Sequence, residues 1–200
     1  EEEFIREVKA FPMTGRGRTS VMDAPSELDV AQLDELKLGV TEASIPQNEE
    51  EVYGQIMSRL NKLKTNKFKE YVHEPVFTSE SAAKVRNTTI KQGAKALVMY
   101  GDAKPLMLIV SGANSVDMHA FKKLYRIKDL RMATKDEVKQ LTNLEVGSIP
   151  PFGSLFKIPT YVDEKLALNA EIVFNAGLHT KSIKINYADW FKVENPTVGD

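Results

Sequence analysis

The sequence predicts an α+β fold, a single domain around a mixed, partly barrel-like β-sheet flanked by short helices. Three observations lead there. Apolar runs bounded by turn residues, such as Lys95–Tyr100 and Leu106–Val110, are too short for buried helices and read as strands. Helix-start signals recur between the strands: Asn48 with Glu51, and Thr134 with Glu137, have the spacing of a capping box. Strands and short helices also interleave without a regular βαβ rhythm, which argues against a doubly wound sheet.

The elements follow in order. Residues 1–47 read as an N-terminal arm, partly flexible. Glu1–Glu3 are acidic, Thr14–Ser20 is a polar glycine–arginine stretch, and Ser26–Gly39 has room for one short helix. Residues 48–193 form the domain. Its leading helix, over 48–66, places Val52, Ile56, Leu60 and Leu63 on one face and Arg59, Lys62 and Lys64 on the other. The charged face is either solvated or a contact for a nucleic-acid backbone. Tyr71–Val76 is extended, and Thr78 or Ser79 caps a helix over Glu80–Arg86. Gly101–Pro105 turns the first strand pair into a hairpin. Helices over Asp117–Tyr125 and from Thr134 flank a brief strand at Leu130–Ala133. Lys157–Val162 is extended, and a helical turn covers Asp163–Leu168. Strands at Ile172–Asn175 and Ser182–Ile185 lead to a closing helix at Tyr187–Val193. Residues 194–200 read as a linker-like tail. With the chain opening on Glu1, that tail predicts a module of a longer polypeptide.

Composition narrows the chemistry. In 200 residues with 42% hydrophobic content there is enough apolar material for one filled core. The net charge of −1 supplies no global attraction to nucleic acid, so a polyanion must be met by a local cluster; Lys84, Arg86, Lys91 and Lys95 form one candidate. With no cysteine there is no thiol nucleophile and no thiolate zinc site. His73, His119 and His179 lie far apart without ligand spacing, so neither a metal nor a cofactor is expected. The absence of a long apolar run predicts a cytoplasmic protein without membrane contact. No phosphate loop, dinucleotide fingerprint or nucleophile elbow is present.

What remains is the stretch Gly147–Gly153, where two glycines bracket Pro150 and Pro151. Prolines stiffen such a loop and glycines permit sharp turns and close approach. The amides of Gly147, Ser148 and Ile149 are under no obligation to join a ladder, and such amides are suited to an ester carbonyl or an oxyanion. An ordinary rigid turn is the alternative.

Five segments taken together resemble the YbaK/ProX family of trans-editing aminoacyl-tRNA deacylases, also found as a domain of prolyl-tRNA synthetases. They are His73–Glu80, Gly93–Val98, Arg131–Val138, Gly147–Gly153 and Phe174–Gly177, in the family's order and covering about residues 70–193. The resemblance implies hydrolysis of alanine wrongly esterified to proline tRNA. A same-fold cysteine deacylase and a non-catalytic tRNA-binding module of a synthetase are its alternatives. The implied partner is the acceptor end of proline tRNA, with the domain fused to or docked on prolyl-tRNA synthetase. Lys95 aligns with the family's lysine, implied to hold the terminal adenosine or its phosphate. Gly147 aligns with the glycine implied to orient the ester, which makes Lys95 and Gly147 the catalytic pair. Ser148, Ile149, Pro151, Gly177 and His179 are the implied substrate-binding residues. For His179, a pocket role and a plain hairpin-turn role both stand open. The resemblance further implies that the tRNA's terminal hydroxyl activates water, and the absent cysteine and scattered histidines predict that the reaction is metal-free.

Overall fold

The structure, a computed structural model, describes residues 44–63 and 67–199. The arm expected over residues 1–47 lies, up to residue 43, outside the described residues, and so does Lys64. Residues 45–200 form one compact unit.

Helix α1 (Glu49–Asn61) starts where its cap predicts: the Asn48 side chain accepts the Glu51 amide at 2.9 Å, and Val52, Ile56 and Leu60 are fully buried. The helix stops at Asn61, with Lys62 as C-cap, short of the expected residue 66. Arg59 is not a free surface cation, because its guanidinium donates to Ser154 Oγ at 2.6 Å. Strand β1 (Phe68–Val72) follows, lying earlier than the predicted Tyr71–Val76. Thr78 then caps α2 (Ser79–Arg86) through a capping box with Ser81, and Asn87, with φ 51°, ends it.

Strands β2 (Ala94–Gly101) and β3 (Lys104–Ser111) make the predicted hairpin with a tighter turn. Only Asp102 and Ala103 lie between them, with φ of 47° and 64°, the positive pair that suits the twist of a two-residue hairpin. Helix α3 (Met118–Tyr125), strand β4 (Leu130–Met132) and helix α4 (Lys135–Thr142) come next, then β5 (Thr160–Asp163), β6 (Glu171–Asn175), β7 (Lys181–Asn186), α5 (Tyr187–Glu194) and β8 (Thr197–Gly199).

The mixed α+β class holds, but among the described residues the strands form two sheets in place of one, and neither closes into a barrel. One has order β1-β7-β6 and is antiparallel; the other has order β4-β2-β3-β5-β8 and is mixed, with β3/β5 and β5/β8 parallel. A parallel bridge between Gly93 and Val173 joins them. One face of the larger sheet packs Met99, Leu106, Leu108 and Val110 against Phe121 of α3. Within the expected tail, over residues 194–200, Glu194 is a buried residue of α5 and Thr197–Gly199 pairs with β5, while residue 200 lies outside the described residues. Apolar patterning is too weak in a three-residue strand to announce it.

Candidate active site

The Gly93–Val173 bridge brings the start of β2 beside the middle of β6. Helix α2 and the Gly147 loop close the remaining sides, leaving a cavity of about 140 Å³. Its wall includes Phe77, Arg86, Lys95, Gly147, Ile149 and Asn175.

Lys95 sits at the first full step of β2. Its ammonium donates to the Asn114 carbonyl at 3.2 Å, and the Asn114 side chain donates to Asp163 at 3.3 Å. The loop is held peptide by peptide. Gly147 has φ of +94°, a conformation natural to glycine. Its carbonyl accepts from the Asn175 side chain, while the next amide, that of Ser148, donates to the Glu145 carbonyl at 3.2 Å. The Ser148 carbonyl accepts from the Gly177 amide at 3.1 Å. Of the three amides expected to be available, Ser148's is therefore in use. Those of Gly147 and Ile149 have no acceptor among the described residues.

Lys95, Gly147 and Ile149 thus meet at the cavity wall, and His179 stands directly behind Gly147. A Cβ on that glycine would lie 3.2 Å from His179 Cε1. His179 Nδ1 is 3.2 Å from the Val76 carbonyl, and its ring packs on Phe77 with centroids 4.8 Å apart. A carbonyl only accepts, so Nδ1 carries the proton in the neutral ring. Ser148, Pro151 and Gly177 do not line the cavity. The Ser148 hydroxyl donates to the Glu145 carbonyl at 2.9 Å, and the Pro151 carbonyl receives the buried Trp190 indole N–H at 2.9 Å. Gly177, with φ of +91°, lies against α1, where a Cβ would come within 2.8 Å of Val52 Cγ1. These three shape the loop from behind.

Two wall residues carry more than the sequence indicated. Arg86, grouped there with surface lysines, is 5% exposed and donates to Asn175 Oδ1; burial pushes its guanidinium down to about 10. The signal was its place on the helical stripe with Ala82 and Ala83, both buried. Phe77 is 73% exposed at the mouth, an apolar ring standing in solvent beside His179. Among the described residues no three His, Asp or Glu side chains converge as a metal site would require.

Comparison with known proteins supplies the family. The chain is 32% identical over 136 residues to the multifunctional Ser/Thr-tRNA deacylase ProXp-y of Escherichia coli (strain K12), covering 64% of this chain and 80% of that protein. It is 33% identical over 100 residues to the proline–tRNA ligase of Solidesulfovibrio magneticus, covering 50% of this chain but 17% of the ligase. A crystal structure of a candidate trans-editing enzyme for prolyl tRNA synthetase superposes with a TM-score of 0.66 at 25% identity, covering 74% of this chain and 95% of that one. The aminoacyl-tRNA editing domain family matches residues 73–193, more than half of the chain and all of the cavity wall from Val76 to Asn175. By that match, the chain belongs to the aminoacyl-tRNA editing domain family.

Proposed function

We propose that this chain is an aminoacyl-tRNA deacylase that hydrolyses the ester of mischarged proline tRNA, with alanine as its principal aminoacyl group. The observation that carries the reading is the make-up of the cavity wall. Two cations and a glycine loop with open amides line it, while no carboxylate and no imidazole do, among the described residues. Such a wall holds an ester and stabilises the oxyanion formed when water adds to its carbonyl. Lys95 binds the terminal nucleotide or its phosphate, the Gly147 and Ile149 amides receive the ester oxygen, and Phe77 offers a face on which the terminal base stacks.

Alanine poses the physical problem that editing solves, since a site that fits proline also admits the smaller side chain. A missing methylene is rejected by only ~1–3 kcal/mol, so a second site must remove the error. A cavity of about 140 Å³ is comparable to one that admits benzene, so volume alone does not exclude a pyrrolidine ring. Selection falls to the shape of the wall, chiefly Ile149.

The reaction proceeds without a metal, in the cytoplasm where tRNA is charged, and the domain works on or beside prolyl-tRNA synthetase. A second reading, hydrolysis of seryl or threonyl esters, is favoured by the likeness to the Ser/Thr-tRNA deacylase. Deacylation of alanyl-, cysteinyl-, seryl- and threonyl-tRNA, with and without EDTA, tests all of this. The alanyl ester on proline tRNA is expected to be cleaved fastest and EDTA to leave the rate alone. Absence of cleavage of every ester would leave a tRNA-binding module, and faster seryl than alanyl cleavage would establish the second reading.

A further inference from the structure

Arg86 is a buried cation that no described carboxylate neutralises. It is 5% exposed, it takes part in no ion pair with a described carboxylate, and its Nε finds no acceptor. An aliphatic side chain would complete the Ala82–Ala83 stripe without a charge to desolvate. The reason for a guanidinium at this place lies in what it holds.

It holds Asn175. The Arg86 guanidinium donates to Asn175 Oδ1, and Asn175 Nδ2 donates to the Gly147 carbonyl. A guanidinium only donates and a carbonyl only accepts, so the orientation of the Asn175 amide is fixed by its partners. Ser182 Oγ also lies 3.3 Å from Asn175 Oδ1, but its one proton has a better acceptor. His73 Nδ1 faces the Glu74 carbonyl at 2.7 Å and carries the ring proton, so His73 Nε2, at 2.6 Å, takes the Ser182 hydroxyl proton in the neutral ring. Arg86 is then the donor that locks Asn175. The Gly147–Ser148 peptide is gripped at both ends, by Asn175 at its carbonyl and by the Glu145 carbonyl at its N–H.

We propose that Arg86 is a positioning residue of the active site, acting through Asn175 to fix the Gly147 peptide and with it the open amides on either side. The proposal rests on the deacylase reading above. Through Asn175, Arg86 sets the plane in which the Gly147 and Ile149 amides meet the ester.

The test uses the full chain and three variants: Arg86→Met, Asn175→Asp, and the double variant Arg86→Met/Asn175→Ala. Asn175→Asp keeps an acceptor for Arg86 and removes the donor to Gly147, so it breaks the relay without orphaning the buried cation. Single-turnover deacylation is measured on whichever ester the wild type cleaves, alongside half-saturation and backbone amide exchange at Ser148. Misplacing catalytic groups on this scale lowers the rate constant about 10–100-fold, and half-saturation is expected to change less than about threefold. The double variant is expected to be no slower than the slower single one, and Ser148 exchange to accelerate in all three. A normal rate in Asn175→Asp, a double variant clearly slower than the slower single one, or unchanged Ser148 exchange would overturn the relay. If the wild type cleaves no ester, the deacylase reading falls, while exchange at Ser148 still decides whether Arg86 holds the loop.

Discussion

Replacing Gly147 by alanine tests the loop geometry most directly, because two separate costs can be read from the structure. The first is conformational. Gly147 has φ of +94°, and an L residue forced into positive φ is strained by about 1–2 kcal/mol. The second is steric. The new Cβ would lie 3.2 Å from His179 Cε1, inside the ~3.5–4.0 Å at which carbon atoms pack best. His179 has little freedom to yield, since the Val76 carbonyl anchors one side and the Phe77 ring covers it. Together these predict a loss of about 1–3 kcal/mol, which in a domain of this size lowers Tm by roughly 2–10 °C. Turnover should fall further than stability, because displacing the Gly147 amide by about 1 Å is worth on the order of 10²-fold. Thermal unfolding and single-turnover deacylation measure the two effects. Repeating the substitution in a His179→Ala background separates them, since there only the conformational cost remains. A Gly147→Ala protein with unchanged Tm and normal turnover would refute the reasoning, and strictly additive costs in the two backgrounds would remove His179 from it.

Three further outcomes are expected. Lys95→Ala should abolish deacylation with Tm nearly unchanged, because its ammonium makes one hydrogen bond, to the Asn114 carbonyl; a large Tm loss with residual normal turnover would reverse that assignment. Ile149→Ala should admit prolyl-tRNA to hydrolysis while sparing the alanyl ester, and, as Ile149 is 7% exposed, it should cost at least ~2 kcal/mol, so rates are compared well below Tm. Unchanged discrimination would place selection elsewhere on the wall. Glu194 supplies a pH dependence: burial holds its carboxyl above the usual range, against hydrogen bonds from Ser154 and Thr160 and the nearby Arg59 guanidinium that pull it down. A raised folded-state value means that its stability is complete below the unfolded carboxylate range, near ~4.3, and is lost as pH rises through the folded value. Tm followed across that rise should decline, and Glu194→Gln should remove this part of the decline; an identical pH profile in the variant would contradict it.

The fold was legible where local signals and tertiary demands agree. Asn48, Thr78 and Thr134 cap helices that bury regular apolar stripes, and the β2–β3 hairpin follows from two apolar runs with turn residues between them. The division into two sheets was not legible, because it depends on β1 finding β7 across more than a hundred residues, and no local pattern encodes a partner. Strand β8 was missed for a related reason: Thr197–Gly199 becomes a strand only because β5 offers it a parallel edge. The cavity follows the same division. Lys95, Gly147 and Ile149 carried motif signals, and the structure puts them on one wall. Ser148, Pro151 and Gly177 belong to the same motifs but serve the loop from behind, since proximity in sequence does not say which face of a loop meets the cavity. Arg86 was visible only as a charge, and its role depends on burial that no single-residue property reveals.

The wall also bears on where the proton of the attacking water goes. Arg86 and Lys95 are cations, and amides and hydroxyls at neutral pH are poor bases, so no described side chain lining the cavity takes a proton from water. The nearest imidazole, His179, has one nitrogen turned to the Val76 carbonyl and is not part of the wall. Under the proposed deacylase function, we propose that the group that orients the water and relays its proton is the free hydroxyl on the tRNA's own terminal ribose. General acid–base assistance is worth about 10²–10⁴-fold, so an alanyl-tRNA ending in 2′-deoxyadenosine should be hydrolysed slower by that order while binding almost as well. His179→Ala provides the counter-arm. If the deoxy substrate is cleaved at the normal rate and His179→Ala is inactive, the base is His179 Nε2, reached after the Phe77–His179 pair opens. If the deoxy substrate is slow and His179→Ala retains most of its rate, the substrate completes the site that the protein leaves without a base.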